Sequence, residues 1–386
     1  MYVGFGNVLG AGLNFLFLTA AAKTLDIENF GRYALVTSVL IGLARISDFG
    51  TNSLYVVGKK MVTQYFSAKA ILTLAGTILS IVVLLLMNIT NGHLIVLFVV
   101  GFLGYSINYT LFGLFQRVEN YTALIFLLLI PSLIKGTYAL AIFLNIVQLD
   151  FLQYFGVFTL SILPTGVLAF WTPIKLRFDI KEGIFLLKKA CSPGIGQLIQ
   201  ENLPAINNTL AKSSQNFSGV GIFSLANKIT MVFVVASFSI FTVLLPKNAK
   251  RIKANEGYDL RETLILSMGI FILGITTIVV GKLFIVGIFG DKFIESLRLL
   301  NILVFAGTFT SITSFMENYF FVKNKSQYIL RIHLTKLSIL LILAAVLMPR
   351  YELLGLAWAQ LIAAVIALGA VYLFFNKASS SSSSDL

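Results

Sequence analysis

Apolar residues run along this chain in blocks of about twenty, each long enough to cross a hydrocarbon layer as a helix, and short polar connections separate them. Twelve such blocks stand out, near 3–22, 31–57, 68–88, 93–115, 121–144, 151–171, 191–211, 218–245, 262–287, 295–321, 327–348 and 353–375. The longest connection, TPIKLRFDIKEGIFLLKKA at 172–190, lies between the sixth and seventh. The pattern predicts an all-α membrane protein of twelve transmembrane helices in two six-helix bundles. The expected parts are a bundle at 1–171, a cytoplasmic linker at 172–190, a second bundle at 191–375 and a disordered, serine-rich tail at 376–386. The first block continues into the repeat described next, so it reads as a spanning helix and not as a cleavable signal.

The two halves are related. A shift of 190 positions brings Gly31 onto Gly221, Leu35 onto Leu225, Leu13 onto Leu203 and Thr19 onto Thr209. Six spans per half is an even number, so both halves enter the membrane in the same direction. That predicts a parallel repeat with a pseudo-two-fold axis along the membrane normal and a substrate path between the halves.

Composition agrees. Mean hydropathy is +0.91, with 58% hydrophobic residues against 12% charged; a soluble domain carries about 25% charged residues. A net charge of +13 would suggest nucleic acid in a soluble protein. Here it is read as orientation. With the N-terminus inside, the inner connections hold Lys59, Lys60, Arg117, Lys175, Arg177, Lys181, Lys188 and Lys189, then Lys247, Lys250, Arg251, Lys253, Lys323 and Lys325. The outer connections hold fewer, Lys23, Lys212, Lys292, Arg298 and Arg350 being the clearest, and those at 88–93 and 145–150 hold no lysine or arginine. Both termini are therefore expected in the cytoplasm, with no nucleic-acid partner. One cysteine, Cys191, and two distant histidines, His93 and His333, leave no metal centre to expect. The histidines are expected near the membrane surfaces.

Four cations fall well inside blocks: Arg45, Lys135, Lys228 and Lys336. A charge at mid-bilayer costs roughly 2.5–3.5 kcal/mol on insertion scales, so it normally faces a partner or water. Asp48 lies three residues beyond Arg45, within pairing reach on one helix face, and Gly50 marks a point where that helix can weaken. The other three cations have no carboxylate within four residues, so their neutralisers come from other helices, water or an anionic cargo. A cationic cavity between the halves is the reading carried forward, against snorkelling or scattered packing roles.

Block seven, ACSPGIGQLIQENLPAINNTLAKS, is polar for a span. Gln197, Glu201, Pro204 and Asn208 share one face, and Asn207 adjoins it; Asn14 carries the stripe in block one. Amide side chains donate and accept together, which suits sugar hydroxyls, and equally suits interhelical hydrogen bonds. Pro204 is expected to bend this helix. Asp48, Glu201 and Glu317 are the candidates for ion coupling, because a carboxyl in a low dielectric can carry a proton through a cycle. No glycine-rich phosphate loop with lysine, HExxH or nucleophile elbow appears, so neither a cofactor nor a catalytic centre is expected.

These residues resemble a known family. NFGRYAL at 29–35 and DFG at 48–50 look like the second helix of polysaccharide transporters in the multidrug/oligosaccharidyl-lipid/polysaccharide exporter superfamily. IFGDKFIESLRLLNIL at 288–303 resembles the family's span ten, and VLMPRYELLGLAWAQ at 346–360 its span twelve, with Glu352 where a glycine is usual. The resemblance implies a flippase that moves an undecaprenyl-diphosphate-linked oligosaccharide, such as an O-antigen unit, from the inner to the outer leaflet of a bacterial inner membrane by ion-coupled alternating access. It implies that cations in spans two and eight, here Arg45 and Lys228, meet the diphosphate. It implies a polysaccharide polymerase and a chain-length regulator as partners. Rival readings are a multidrug–cation antiporter of the same superfamily and a membrane-embedded polysaccharide polymerase; the first would want acidic cavity groups, the second a sizeable outer loop.

Overall fold

The computed structural model describes residues 2–57, 62–87, 89, 91–171, 177–253, 260–322 and 326–380. Lys59, Lys60, Lys175, Lys323 and Lys325 of the expected inner connections lie outside these residues, as does the end of the serine-rich tail. Eleven α-helices follow in order: α1 (Tyr2–Thr24), α2 (Ile27–Ala44), α3 (Thr51–Val57), α4 (Val62–Leu86), α5 (Gly92–Arg117), α6 (Tyr121–Phe143), α7 (Phe151–Leu160), α8 (Ile180–Lys253), α9 (Leu260–Phe289), α10 (Ile294–Val322) and α11 (Ser326–Ser380). No strand occurs among the described residues. Seven stretches among them are long and apolar enough to cross a membrane. Two of these, Ile265–Glu317 and Gln327–Phe375, each take in most or all of two expected blocks.

Short polar residues start the helices where the sequence supplies them. Asp26 caps α2 by accepting from the Asn29 backbone, and Asn91 and Asn120 cap α5 and α6 in the same way. Asp150 and Gln153 form a reciprocal capping box on α7. Two helices contain a break. In α8 the backbone leaves helical values at Gln215 and Asn216, not at Pro204. In α11 it does so at Glu352, three residues after Pro349.

The chain divides into two compact units, 1–206 and 207–386, with the division inside α8. In the first, α5 is the central post, packed by α2, α3, α4 and α7, while α1 lies along α6. Phe98, Phe102, Tyr154 and Phe155 fill its interior without solvent exposure. In the second, α10 lies against α11 and α9, and Tyr319, Phe320, Tyr328, Phe374 and Phe375 form an aromatic cluster between α10 and α11. Leucine, isoleucine and methionine point outward from α4 and α9, as at Leu74, Ile78, Met268 and Leu283. Such a surface suits acyl chains and would be a liability in water.

Candidate functional site

The second span is broken at its charged middle. After α2 the chain passes through one 3-10 turn, Arg45–Ser47, then Phe49 and Gly50 take positive φ values of 39° and 69° before α3 begins. Glycine reaches that region freely; Phe49 does so only under strain. The first part of α8 packs on this break. A Cβ on Gly194 would stand 2.6 Å from the Phe49 carbonyl oxygen, so only glycine allows the approach.

Ending one helix and starting another inside a membrane leaves backbone groups without partners. Here charged side chains satisfy them. Lys69 of α4 donates to the Ser47 carbonyl at 3.0 Å, and Asp48 accepts from the Asn52 backbone N–H at 3.1 Å at the start of α3. Lys69 and Asp48 also pair with each other at 3.4 Å, both fully buried. Asn52 in turn donates to the Tyr109 carbonyl and accepts from the Tyr65 hydroxyl at 2.7 Å.

The pairing expected within span two does not form. Arg45 pairs instead with Glu201 of α8, and its guanidinium lies 4.4 Å above the Tyr109 ring. The 3-10 turn accounts for this: it rotates Asp48 off the α-helical i, i+3 position and towards α4. Gln197 bridges the two ion pairs, donating to Asp48 and to Glu201 at 3.3 Å each. Arg45, Asp48, Lys69, Gln197 and Glu201 are thus one connected network, of which Arg45 and Glu201 are about one-third exposed.

Lys135 joins this site through aromatic rings. Its ammonium lies 5.0 Å from the Phe158 ring; Phe158 packs on Tyr105 at 6.0 Å, Tyr105 on Tyr109 at 6.3 Å, and Tyr109 carries Arg45. The two cations therefore sit at opposite ends of one aromatic ladder, and Lys135 is buried, away from lipid. Cation–π contact with desolvated rings is worth up to about 2 kcal/mol, a substantial part of the cost of holding such a charge in the interior.

The remaining expected site residues divide. Asn14 spends both amide hydrogens inside the protein, on the Gly10 carbonyl at 2.8 Å and Ser132 of α6 at 3.0 Å. Asn208 accepts from Ser224 at 2.7 Å across the two parts of α8. Asn207 is buried, and its side-chain oxygen has no hydrogen-bond partner among the described residues. Lys228 is half-buried, with no ion pair among the described residues. In the second unit Lys336 donates to Thr310 at 2.8 Å and feels the Glu317 charge, while His333 stands 3.7 Å from Glu317. His333, expected from the sequence to be a bystander, is buried in this cluster.

Sequence reasoning missed Lys69, Tyr105 and Tyr109. Lys69 falls at the edge of its apolar block, where a lysine reads as a surface anchor, and half-buried tyrosines carry no charge signal.

No known protein-family profile matches the chain. It is 26% identical over 399 residues to the capsular polysaccharide biosynthesis protein CapF of Staphylococcus aureus, with 97% of this chain and 98% of that protein covered. Among solved structures it is similar to the lipid II flippase MurJ in an inward closed conformation, with TM-score 0.69 and 16% identity over 96% of this chain and 86% of that one. It is similar to a multidrug-resistance MATE transporter in its inward-facing conformation, with TM-score 0.68 and 15% identity over 99% of both chains. A third similar structure comes from Pyrococcus furiosus, at TM-score 0.60 and 16% identity over 97% of this chain and 93% of that one; it is described as having a binding pocket of reverse polarity that suggests a different function. These structural neighbours are transporters and flippases, and the chain has the fold of the multidrug/oligosaccharidyl-lipid/polysaccharide exporter superfamily that its sequence resembles.

Proposed function

We propose that this protein is a flippase that carries a polyprenyl-diphosphate-linked oligosaccharide, an O-antigen or capsule-type repeat unit, across a bacterial cytoplasmic membrane. In this reading twelve helices span the bilayer, both termini are cytoplasmic, and the lipid-linked sugar moves outward by ion-coupled alternating access. The observation that carries it is the sign of the interior charge. Among the described residues the interior cations Arg45, Lys69, Lys135, Lys228 and Lys336 outnumber the interior carboxylates Asp48, Glu201 and Glu317 by five to three. A diphosphate cannot cross about 30 Å of hydrocarbon without positive, hydrated partners. Arg45 is the best placed of the five, because a third of its side chain is accessible and its present partner, Glu201, is an anion that a diphosphate could replace.

The polysaccharide relative supports the substrate class, and the transporter neighbours support transport over a polymerase. The Pyrococcus furiosus structure supports reading function from pocket polarity, and an excess of cations disfavours a carrier of cationic drugs. Lys135 and Lys228 are the further candidates for the diphosphate. Asn207, with an unpartnered oxygen, is a better candidate for sugar contact than Asn14, whose donors are used. Glu201 and Glu317 are the candidates for ion coupling.

The test is reconstitution in proteoliposomes with a fluorescent polyprenyl-diphosphate sugar, with flipping read by quenching from one leaflet. Wild type should transfer the lipid, and Arg45→Ala and Lys228→Ala should each slow transfer at least about tenfold, the loss of a charge-assisted contact of 1.5–3 kcal/mol. Equal rates for wild type and both variants at equal protein level would overturn the assignment.

A further inference from the structure

Within the second unit, the break in α8, the start of α10 and the break in α11 come together around a cavity of about 190 Å³. Its floor is apolar and buried, made by Leu299 and Leu353. Its rim is polar. Tyr351 stands on the rim with 57% of its surface exposed, and Gln215 hydrogen-bonds Glu352 across the two breaks.

Two features mark this cavity as more than a gap between loops. Glu295 and Arg298 line it from adjacent turns of α10, three residues apart and both exposed. That spacing allows an ion pair. None forms among the described residues, so a carboxylate acceptor and a guanidinium donor both remain open to a ligand. The second feature is the backbone. Asn216 and Glu352 hold positive φ values of 55° and 50°, and the Gln215–Glu352 bond ties the two strained turns together. Strain of this kind persists where the surroundings fix it, and it leaves the rim preorganised.

We propose that this cavity binds a single pyranose ring. The volume lies below the roughly 300–1,000 Å³ of pockets for drug-sized ligands, which suits one ring and not a chain. An aromatic side chain and apolar leucines in one lining match the C–H face of a sugar, and mixed donors and acceptors at the rim match its hydroxyls. In the orientation proposed above these three connections face outward, so the ring comes from the exported glycan as it leaves the passage. Only that source rests on the flippase reading; the binding itself does not.

The experiment is saturation-transfer NMR on the protein in nanodiscs, with methyl glycosides of a hexose, an N-acetylhexosamine and a hexuronic acid as probes. At least one probe should bind wild type, and Tyr351→Ala and Arg298→Ala should each weaken it about tenfold. Arg45→Ala should bind as wild type does even where it fails to flip lipid, which separates this site from the transport reading. Competition by a polyprenyl-diphosphate oligosaccharide in the same nanodiscs assigns the ring to the cargo; its absence assigns the pocket to a free sugar. No binding by any probe, or equal binding by wild type and both variants, overturns the proposal.

Discussion

Arg45 takes its carboxylate from Glu201, on a helix far along the chain, and not from Asp48 three residues away. The consequence is a tie between the broken second span and the first part of α8 that depends on charge as well as packing. Removing Glu201 leaves Arg45 over the Tyr109 ring with only the more distant Asp48, which is itself paired with Lys69, as an anion. Glu201→Ala is therefore expected to lower stability by about 1–3 kcal/mol, and the double variant with Arg45→Ala to lose less than the sum of the two singles. A double-mutant cycle on thermal unfolding in detergent measures the coupling. Additive losses would show that the pair carries no energy of its own.

Lys69 and Asp48 form a more deeply buried pair, with 3% and 7% of their side chains exposed. Breaking such a pair from one side strands a charge. Lys69→Met should cost about 3–5 kcal/mol, and Lys69→Met with Asp48→Asn should recover much of that loss. Equal loss in the single and double variants would mean that Lys69 acts through the Ser47 carbonyl alone.

Close packing at the break makes Gly194 sensitive in a different way. Adding one methyl group drives it into a backbone oxygen that cannot rotate aside. Gly194→Ala is expected to cost about 1–3 kcal/mol by overpacking and to slow lipid transfer, while Gly12→Ala, where a Cβ meets nothing within 4 Å, should leave both unchanged. Thermal unfolding of the two variants side by side checks this.

The all-helical character and the apolar spans were legible because lipid imposes a simple rule: block length follows from bilayer thickness. The weak point at Gly50 was legible for the same reason, since glycine next to an intramembrane charge signals a helix that need not continue. Partners were not legible. Sequence spacing placed Asp48 beside Arg45 on an ideal helix, and one 3-10 turn was enough to send each to a different neighbour. His333 shows the same limit, since only the packing of α10 on α11 reveals that it is buried against Glu317.

Among the described residues one oxygen of Glu317 has no hydrogen-bond partner, although Lys336 and His333 are close. Under the coupling role proposed above, Glu317→Gln should abolish the dependence of lipid transfer on an imposed pH gradient while leaving gradient-free exchange intact. Proteoliposome transfer measured with and without the gradient decides it; an unchanged gradient response removes Glu317 from the coupling machinery.

Glu352 stands where the resemblance to polysaccharide transporters leads to the expectation of glycine, and its φ of 50° and ψ of −128° form a backbone conformation that favours glycine. A residue with a Cβ held there costs about 1–3 kcal/mol in strain. Its bond to Gln215 is exposed and returns about 0.5–1.5 kcal/mol. The strain is the larger of the two, so Glu352→Gly is expected to stabilise the protein by up to about 1 kcal/mol even though a hydrogen bond is lost. Thermal unfolding reads the sign directly. The same variant should bind the glycoside probe more weakly, because the tie that sets the shape of the rim is gone. A variant that is more stable yet poorer at binding is what is expected when a strained residue is kept for a ligand. One that is less stable and binds equally well would place Glu352 among ordinary structural contacts.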